Sequence, residues 1–142
     1  MKVKTKELLE AMKSCLPGIE AKETILEGAD SFVFSGSKIH SYNDHISVSV
    51  PIKTNIIGAV KAADFYKLVS KLPGEEFELT AEEKSWKISC GTITAEMVLL
   101  SYSVLEKINA IEIKDWKDVP EDFYDALKCC KMGCNGTPDS PG

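Results

Sequence analysis

Two stretches of the chain carry apolar residues at helical spacing, and each ends in the triplet Leu-Pro-Gly. The first stretch, "KELLEAMKSCLPG", has its apolar residues at Leu8, Leu9, Met12, Cys15 and Leu16. The second stretch, "ADFYKLVSKLPG", has them at Phe65, Leu68, Val69 and Leu72. Residues three or four apart lie on one face of a helix, and a Pro-Gly pair stops one. Both stretches therefore predict amphipathic helices, the second over residues 64–72.

Alternating apolar and polar residues predict strands before, between and after these helices. The chain opens with "MKVKTK", and "SFVFSGSKIHSYNDHISVSVPI" predicts strands joined by Ser-Gly-Ser and Asn-Asp turns. The segment "IIGAVKA" predicts a further strand that leads into the second helix, and "EFELTAEE", "SWKISCGT" and "TAEMVLL" predict the strands after it. The order strand, helix and several strands occurs twice, which indicates an α+β fold with two similar halves.

The two helices belong to an internal repeat, because their Leu-Pro-Gly triplets lie 56 positions apart. A third copy, "DFYDALKCCKMG", is shifted by 115 positions from the first helix and repeats its apolar face. The matching residues are Leu8 and Phe123, Ala11 and Ala126, Met12 and Leu127, and Cys15 and Cys130. The repeat predicts a first domain over residues 1–108. Over residues 109–142 it predicts a leading strand, in "IEIKDWKDVP", and the first helix of a second domain that is cut short.

Composition narrows the class of protein. The 142 residues, 44% of them apolar, suffice for one hydrophobic core and a remainder. Five cysteines without a paired framework or a leader segment indicate a reducing cytosol, and no apolar run approaches the roughly 18 residues of a membrane helix. A net charge of −5 argues against a surface that binds nucleic acid all over, but it leaves room for a local basic face.

The cysteines of "CCKMGC" raise the question of a metal site. Structural zinc sites need a second pair of ligands, and the sequence offers none beside Cys129, Cys130 and Cys134. Cys130 corresponds to Cys15 on the apolar face of the repeat, which favours core packing for Cys130 and exposure for the other two. A small thiol-dependent metal protein stays open as the weakest alternative.

No set of residues favours an enzyme. His40 and His45 flank a predicted turn, and no nucleophile stands at a useful spacing from a base. Gly36 lies between serines with no helix after it, which excludes a phosphate-binding loop. We expect neither catalytic residues nor a cofactor.

Three segments resemble the bacterial DNA polymerase sliding clamp, the beta subunit of the replicative polymerase holoenzyme. They are "IIGAVKAADFYKLVSKLPG", "SKIHSYNDHISVSVPI" and "SWKISCGTITAEM". The chain departs from that family in the loop over residues 18–25, which lacks a Pro-rich run, and in the turn at Tyr42, Asn43 and Asp44. The resemblance is therefore to a divergent or phage-like member, and it implies a clamp fold with antiparallel sheets outside and two helices on one face.

The same resemblance implies a non-catalytic processivity factor in DNA replication. Clamps are homodimeric rings of three-domain chains that encircle duplex DNA without reading its sequence and tether the polymerase. The resemblance also implies that polymerase and clamp loader bind through a third domain that this chain lacks. The alternative is a clamp-like protein-interaction module that does not encircle DNA.

For DNA contacts the resemblance points to lysines on the outward faces of the helices and at the mouth of the ring. They are Lys13, Lys22, Lys67, Lys71, Lys128 and Lys131. A clamp needs the helix lysines on one concave surface, whereas ordinary solvated lysines have no such requirement. Trp86 and Trp116 could stack on bases, but their positions favour packing in a sheet and at a domain junction.

Overall fold

The computed structural model describes residues 1–20, 28–43, 45–100 and 117–133. The elements in chain order are β1 (Lys2–Lys4), α1 (Thr5–Cys15), the turn (Leu16–Gly18), β2 (Ser31–Tyr42), β3 (Ser47–Lys61), α2 (Ala62–Ser70), β4 (Glu76–Ala81), β5 (Ser85–Cys90), β6 (Ile93–Val98) and α3 (Phe123–Met132). The predicted α+β class and the repeated order of strand, helix and strands are confirmed.

The chain forms two compact units, Met1–Ile111 and Glu112–Gly142, and all the sheets described lie in the first. The second unit contributes α3, none of whose residues is buried. Most of its predicted leading strand lies outside the described residues, and residues 117–120 form no strand. The prediction that a second domain begins at residue 109 stays a prediction.

One sheet has the strand order β1-β4-β5-β6, with every neighbouring pair antiparallel. Its alternate residues face the core, where Phe77, Leu79, Trp86 and Ile88 are at most 2% exposed. The opposite faces of the same strands carry polar residues, in line with the period of two of a half-buried strand.

The other sheet consists of β2 and β3, which pair in two separate blocks. Residues 31–36 pair with 56–61, and residues 38–42 pair with 47–51. The Ser35 Oγ and His40 Nε2 atoms are 2.7 Å apart, whereas five fully extended residues would separate their Cα atoms by about 16 Å. The strand therefore bends sharply between Ser35 and His40, at the register shift beside Gly36, whose φ of +89° suits glycine. The segment "IIGAVKA" is thus the second part of β3 and not a separate strand as predicted.

The two halves of the fold exchange their leading strands. In one sheet, β1 precedes α1 but pairs with β4, which follows α2. In the other sheet, the end of β3 precedes α2 but pairs with the start of β2, which follows α1. The two central pairs have the same chemistry, Val3 opposite Phe77 and Val60 opposite Phe32. Val3 and Val60 are 57 positions apart, so the repeat runs at 57 in the structure and not at the 56 given by the Leu-Pro-Gly triplets.

The core lies between the helices and the two sheets. α1 contacts α2 and both strands of the second sheet. Three rings meet edge to face at the centre, with centroid distances of 5.8 Å for Phe34 and Phe65, 5.2 Å for Phe34 and Trp86, and 5.8 Å for Phe65 and Trp86. This cluster joins both sheets to α2 and holds the Phe65 face of that helix in the core. Within the described ranges, no helix is long and apolar enough to cross a membrane.

Candidate nucleic-acid interface

The outward face of α1 carries both signs of charge. Leu8, Met12 and Cys15 are at most 2% exposed and hold one face of this helix in the core. The 3.6-residue period then turns Lys6, Glu7, Glu10 and Lys13 outward, and all four are exposed. The two lysines are balanced by the two glutamates, so this face has no net charge.

The outward face of α2 carries a small excess of positive charge. Phe65 and Val69 are fully buried, and Lys67 and Lys71, on the opposite side, are exposed. Lys67 lies within the helix and Lys71 is its C-terminal cap residue. The two are four residues apart, about one helical turn, and so lie on the same side of the helix. Asp64 is the acidic residue of the first turn, which leaves this face one positive charge in excess.

The outward lysines are available to bind anions. The ion pairs within the described part of the chain join Lys4 to Glu7, Lys61 to Asp30 and Lys87 to Glu82. Lys13, Lys67 and Lys71 thus have no carboxylate within 4 Å among the residues that the structure describes. α1 and α2 contact each other, and each carries exposed lysines.

The remaining predicted lysines lie elsewhere. Lys128 and Lys131 are exposed on α3, in the second compact unit, and Lys128 lies over the ring of Tyr124 at 4.6 Å from its centroid. A cation held over an aromatic face keeps its charge and can still contact a phosphate. Lys22 lies outside the described residues.

The cysteines divide into buried and exposed pairs. Cys15 and Cys90 are buried in the first unit, and Cys129 and Cys130 are exposed on α3. The expectation that Cys130 packs in a core is therefore wrong for this chain: the helix has the apolar face of α1, but none of its residues is buried. Among the described residues no group of three or more potential ligands could hold a metal ion, and Cys134 lies outside them.

Trp86 does not present a surface to bases, since it is fully buried within the aromatic cluster, in line with the sheet packing that its strand position predicted. Trp116 lies outside the described residues.

A hydrogen bond between Ser35 and His40 was not expected from the sequence. Burial and the charge of Lys38 lower the pKa of His40, which favours the neutral ring at neutral pH. The two residues are five apart, and the bend at the register shift beside Gly36 brings them together, so the strand pattern alone carried no signal of this contact.

The chain matches solved structures of bacterial DNA polymerase beta subunits. The DNA polymerase III beta subunit of Thermotoga maritima matches with a TM-score of 0.65 at 20% identity, over 83% of this chain and 33% of that one. The beta subunit of Streptococcus pyogenes DNA polymerase matches with a TM-score of 0.63 at 15% identity, over 84% and 33% of the two chains. The DNA polymerase III subunit beta of Pseudomonas aeruginosa matches with a TM-score of 0.58 at 12% identity, over 82% of this chain and 32% of that one.

The chain spans about a third of the length of these structures. No protein-family model matches it, and no curated protein does. The chain has the clamp fold of the DNA polymerase III beta subunits.

Proposed function

We propose that this chain is part of a DNA sliding clamp, a non-catalytic processivity factor of DNA replication that encircles duplex DNA and tethers the replicative polymerase. The observation that carries the proposal is the outward position of Lys13, Lys67 and Lys71 on the two contacting helices of a clamp fold. Exposed lysines without carboxylate partners bind phosphates through solvated contacts that do not depend on sequence. Such contacts hold a duplex and still allow it to slide.

The weak charge of this surface fits that role. Four lysines on α1 and α2 face outward beside three acidic residues. Each phosphate contact contributes through counterion release, so a surface with few unbalanced lysines binds DNA weakly and with a shallow salt dependence. In a ring, closure and not affinity retains the DNA. Lys128 and Lys131 on α3, together with Lys22, complete the proposed set of DNA contacts.

The proposal extends to the assembly. The complete protein forms a homodimeric cytoplasmic ring, and the polymerase and the clamp loader bind it through domains that this chain does not contain. β6 is an outer strand of its sheet, and its exposed Ile93 and Val98 suit a contact between neighbouring domains.

A second candidate is a clamp-like protein-interaction module that does not encircle DNA. The observation that favours it is the balance of charge on α1, where Glu7 and Glu10 lie among the lysines, together with the net charge of −5. Carboxylates on the face that meets DNA repel phosphates and weaken binding.

Binding of this chain to a labelled 30-base-pair duplex, followed by fluorescence anisotropy at low salt, separates the two candidates. For the clamp we expect weak binding that the double variant Lys67→Ala and Lys71→Ala weakens further, with a salt slope lower by about 2 because two phosphate contacts are lost. The matched control is Lys38→Ala with Lys84→Ala, two exposed lysines on β2 and in the β4–β5 turn, which should leave the affinity unchanged. No binding, or equal losses in both variants, would favour the interaction module.

A further inference from the structure

The second half of the fold closes the free edge of its leading strand with a short extended segment. After β6 the chain continues through Leu99, whose N–H donates to the Lys84 carbonyl at 2.9 Å. The next N–H, of Leu100, donates to the Ala59 carbonyl at 2.8 Å. Ala59 belongs to the segment 56–61 that leads into α2. Leu100 thus bonds to this strand edge and packs on Val33 and Ala59, while Leu99 packs against the main core beside Gly58.

The corresponding edge of the first half is open. Lys2 precedes Ala59 by 57 positions and is its counterpart in β1. The Met1 carbonyl accepts from the Leu79 N–H at 2.8 Å, and the Met1 amine donates to the Leu79 carbonyl at 3.0 Å. Because bonded pairs alternate along an antiparallel ladder, the backbone groups of Lys2 face away from β4. β1 is the outer strand of its sheet, and no described strand pairs with that side of it.

A groove of about 460 Å³ lies beside this open edge, between β1, α1 and β3. Leu8 and Ala11 of α1 line it on one side, and Pro51 and Ile52 of β3 line it on another. The counterpart of Ala11 in α2 is Leu68, which is partly buried against the core. Ala11 is smaller than Leu68, so the groove in the first half keeps space that the Leu68 side chain fills in the second half.

The charges around the groove favour an uncharged ligand. Three lysines and three glutamates line it, and one pair, Lys4 and Glu7, is in contact at 3.3 Å. With no net charge the groove gives little attraction to a phosphate or to an acidic peptide. Its apolar walls and the unpaired edge of Lys2 instead suit an extended backbone with apolar side chains, the mode of recognition known as strand addition.

We propose that this groove binds an extended peptide segment of a partner protein that carries two adjacent aliphatic side chains. The segment adds to the outer edge of β1, hydrogen bonds to Lys2, and lays its aliphatic side chains against Ala11 and the β3 wall. The second half of the same fold provides the precedent, with Leu100 at the edge of Ala59. The proposal does not depend on whether the protein encircles DNA.

The test uses the full chain and a fluorescent peptide of the sequence TAEMVLL, the chain's own segment that ends in Leu99 and Leu100. We expect saturable binding with one peptide per chain. The variant Ala11→Leu fills the groove with the residue of the other half and should weaken binding at least about tenfold, as loss of a central apolar contact does. The matched control is Ala63→Leu, the same change at an exposed position of α2, which should bind as the parent does.

A second variant keeps the proposal testable if Ala11→Leu disturbs the fold. Lys2→Pro removes the outward N–H of β1 without removing a bond to β4, and it should also weaken binding. A peptide with both leucines changed to aspartate should not bind. Absence of saturable binding by the parent peptide would overturn the proposal, and so would equal affinities for the parent, Ala11→Leu and Lys2→Pro chains.

Discussion

Thr5 and Ala62 occupy the same place in the two halves of the fold, and each ties the start of its helix to the opposite half. The Thr5 N–H donates to the Glu75 carbonyl at 2.9 Å, and the Ala62 N–H donates to the Asp30 carbonyl at 2.9 Å. Glu75 precedes β4, and Asp30 precedes β2. The first N–H group of each helix would otherwise lack a hydrogen-bond partner. Each instead donates to the opposite half, as the leading strand before it also pairs with the opposite half.

The side chain of Thr5 adds a contact that Ala62 does not have. Its hydroxyl donates to the Gly74 carbonyl at 2.9 Å. We expect Thr5→Ala to lower the free energy of unfolding by about 1 kcal/mol, the usual net contribution of one hydrogen bond. Urea denaturation followed by circular dichroism measures it. Thr5→Val keeps the shape and removes the bond, so it should cost as much; no loss in either variant would show that the hydroxyl contributes nothing.

Gly58 and Gly91 form a matched pair for testing close packing. Gly58 has φ +150°, and a Cβ there would lie 2.8 Å from Cζ2 of the buried Trp86, whereas Gly91 has φ +60° and no heavy atom within 4 Å of such a Cβ. We expect Gly58→Ala to destabilise the chain by about 3 kcal/mol, through overpacking and backbone strain. Gly91→Ala should cost about 1 kcal/mol, from the backbone conformation alone. Equal losses in denaturation midpoints would contradict this account.

The buried thiol of Cys15 makes stability fall at high pH. Burial raises its pKa from an ordinary value of 9.0 to about 11, against a smaller opposite effect of the hydrogen bond with Ser41. Between these values the unfolded chain loses the thiol proton while the folded chain keeps it, so unfolding becomes easier as the pH rises. The loss should approach about 2 kcal/mol by pH 11.

Urea midpoints measured at pH 8, 9, 10 and 11 would show this decline. The Cys15→Ala variant has a lower starting stability, because it loses core contacts, but it should show a flatter pH dependence than the parent. Identical slopes would mean that other groups cause the decline. At pH 8 an alkylating reagent should modify the exposed Cys129 and spare the native Cys15, as intact-mass analysis would show.

The balanced charge of α1 gives a gain-of-function prediction. Glu10 is exposed on the same outward face as Lys13, and Glu10→Lys turns this face basic. If the helices meet DNA, duplex affinity at low salt should rise and the salt slope should steepen by about 1. Glu83→Lys makes the same charge change in the exposed β4–β5 turn and controls for net charge. Equal gains in both variants would count against a DNA-facing helix layer.

The helical spacing of apolar residues and the alternation of apolar and polar residues predicted most helices and strands of the first unit, because these elements depend on local sequence patterns. The apolar stripes at Leu8, Met12 and Phe65 gave both helices and placed Lys67 and Lys71 outward, as found. The second helix was predicted over residues 64–72 but is Ala62–Ser70, because Leu72 is buried beyond the helix end and the small Ala62 and Ala63 gave a weak start signal.

Contacts between distant segments were not predictable in the same way. An apolar stripe shows which face of a helix can be buried, but not whether anything covers it, so Cys130 was assigned to a core that α3 does not have in this chain. The Ser35–His40 contact and the open edge at Lys2 depend on strand register and on the comparison of the two halves. The apolar pattern of a single segment therefore predicts neither the contact nor the open edge.

The exchange of leading strands has a consequence for how the chain reaches its native state. Val3 pairs with Phe77, 74 positions later, so β1 has no place to dock until the second half has been synthesised. Contacts at such sequence distance slow folding, because chain entropy is lost before they form. Neither half can complete its sheet alone. We expect β1 to remain accessible to proteases and chaperones on nascent chains that stop short of β4, and to become protected once β4 is present.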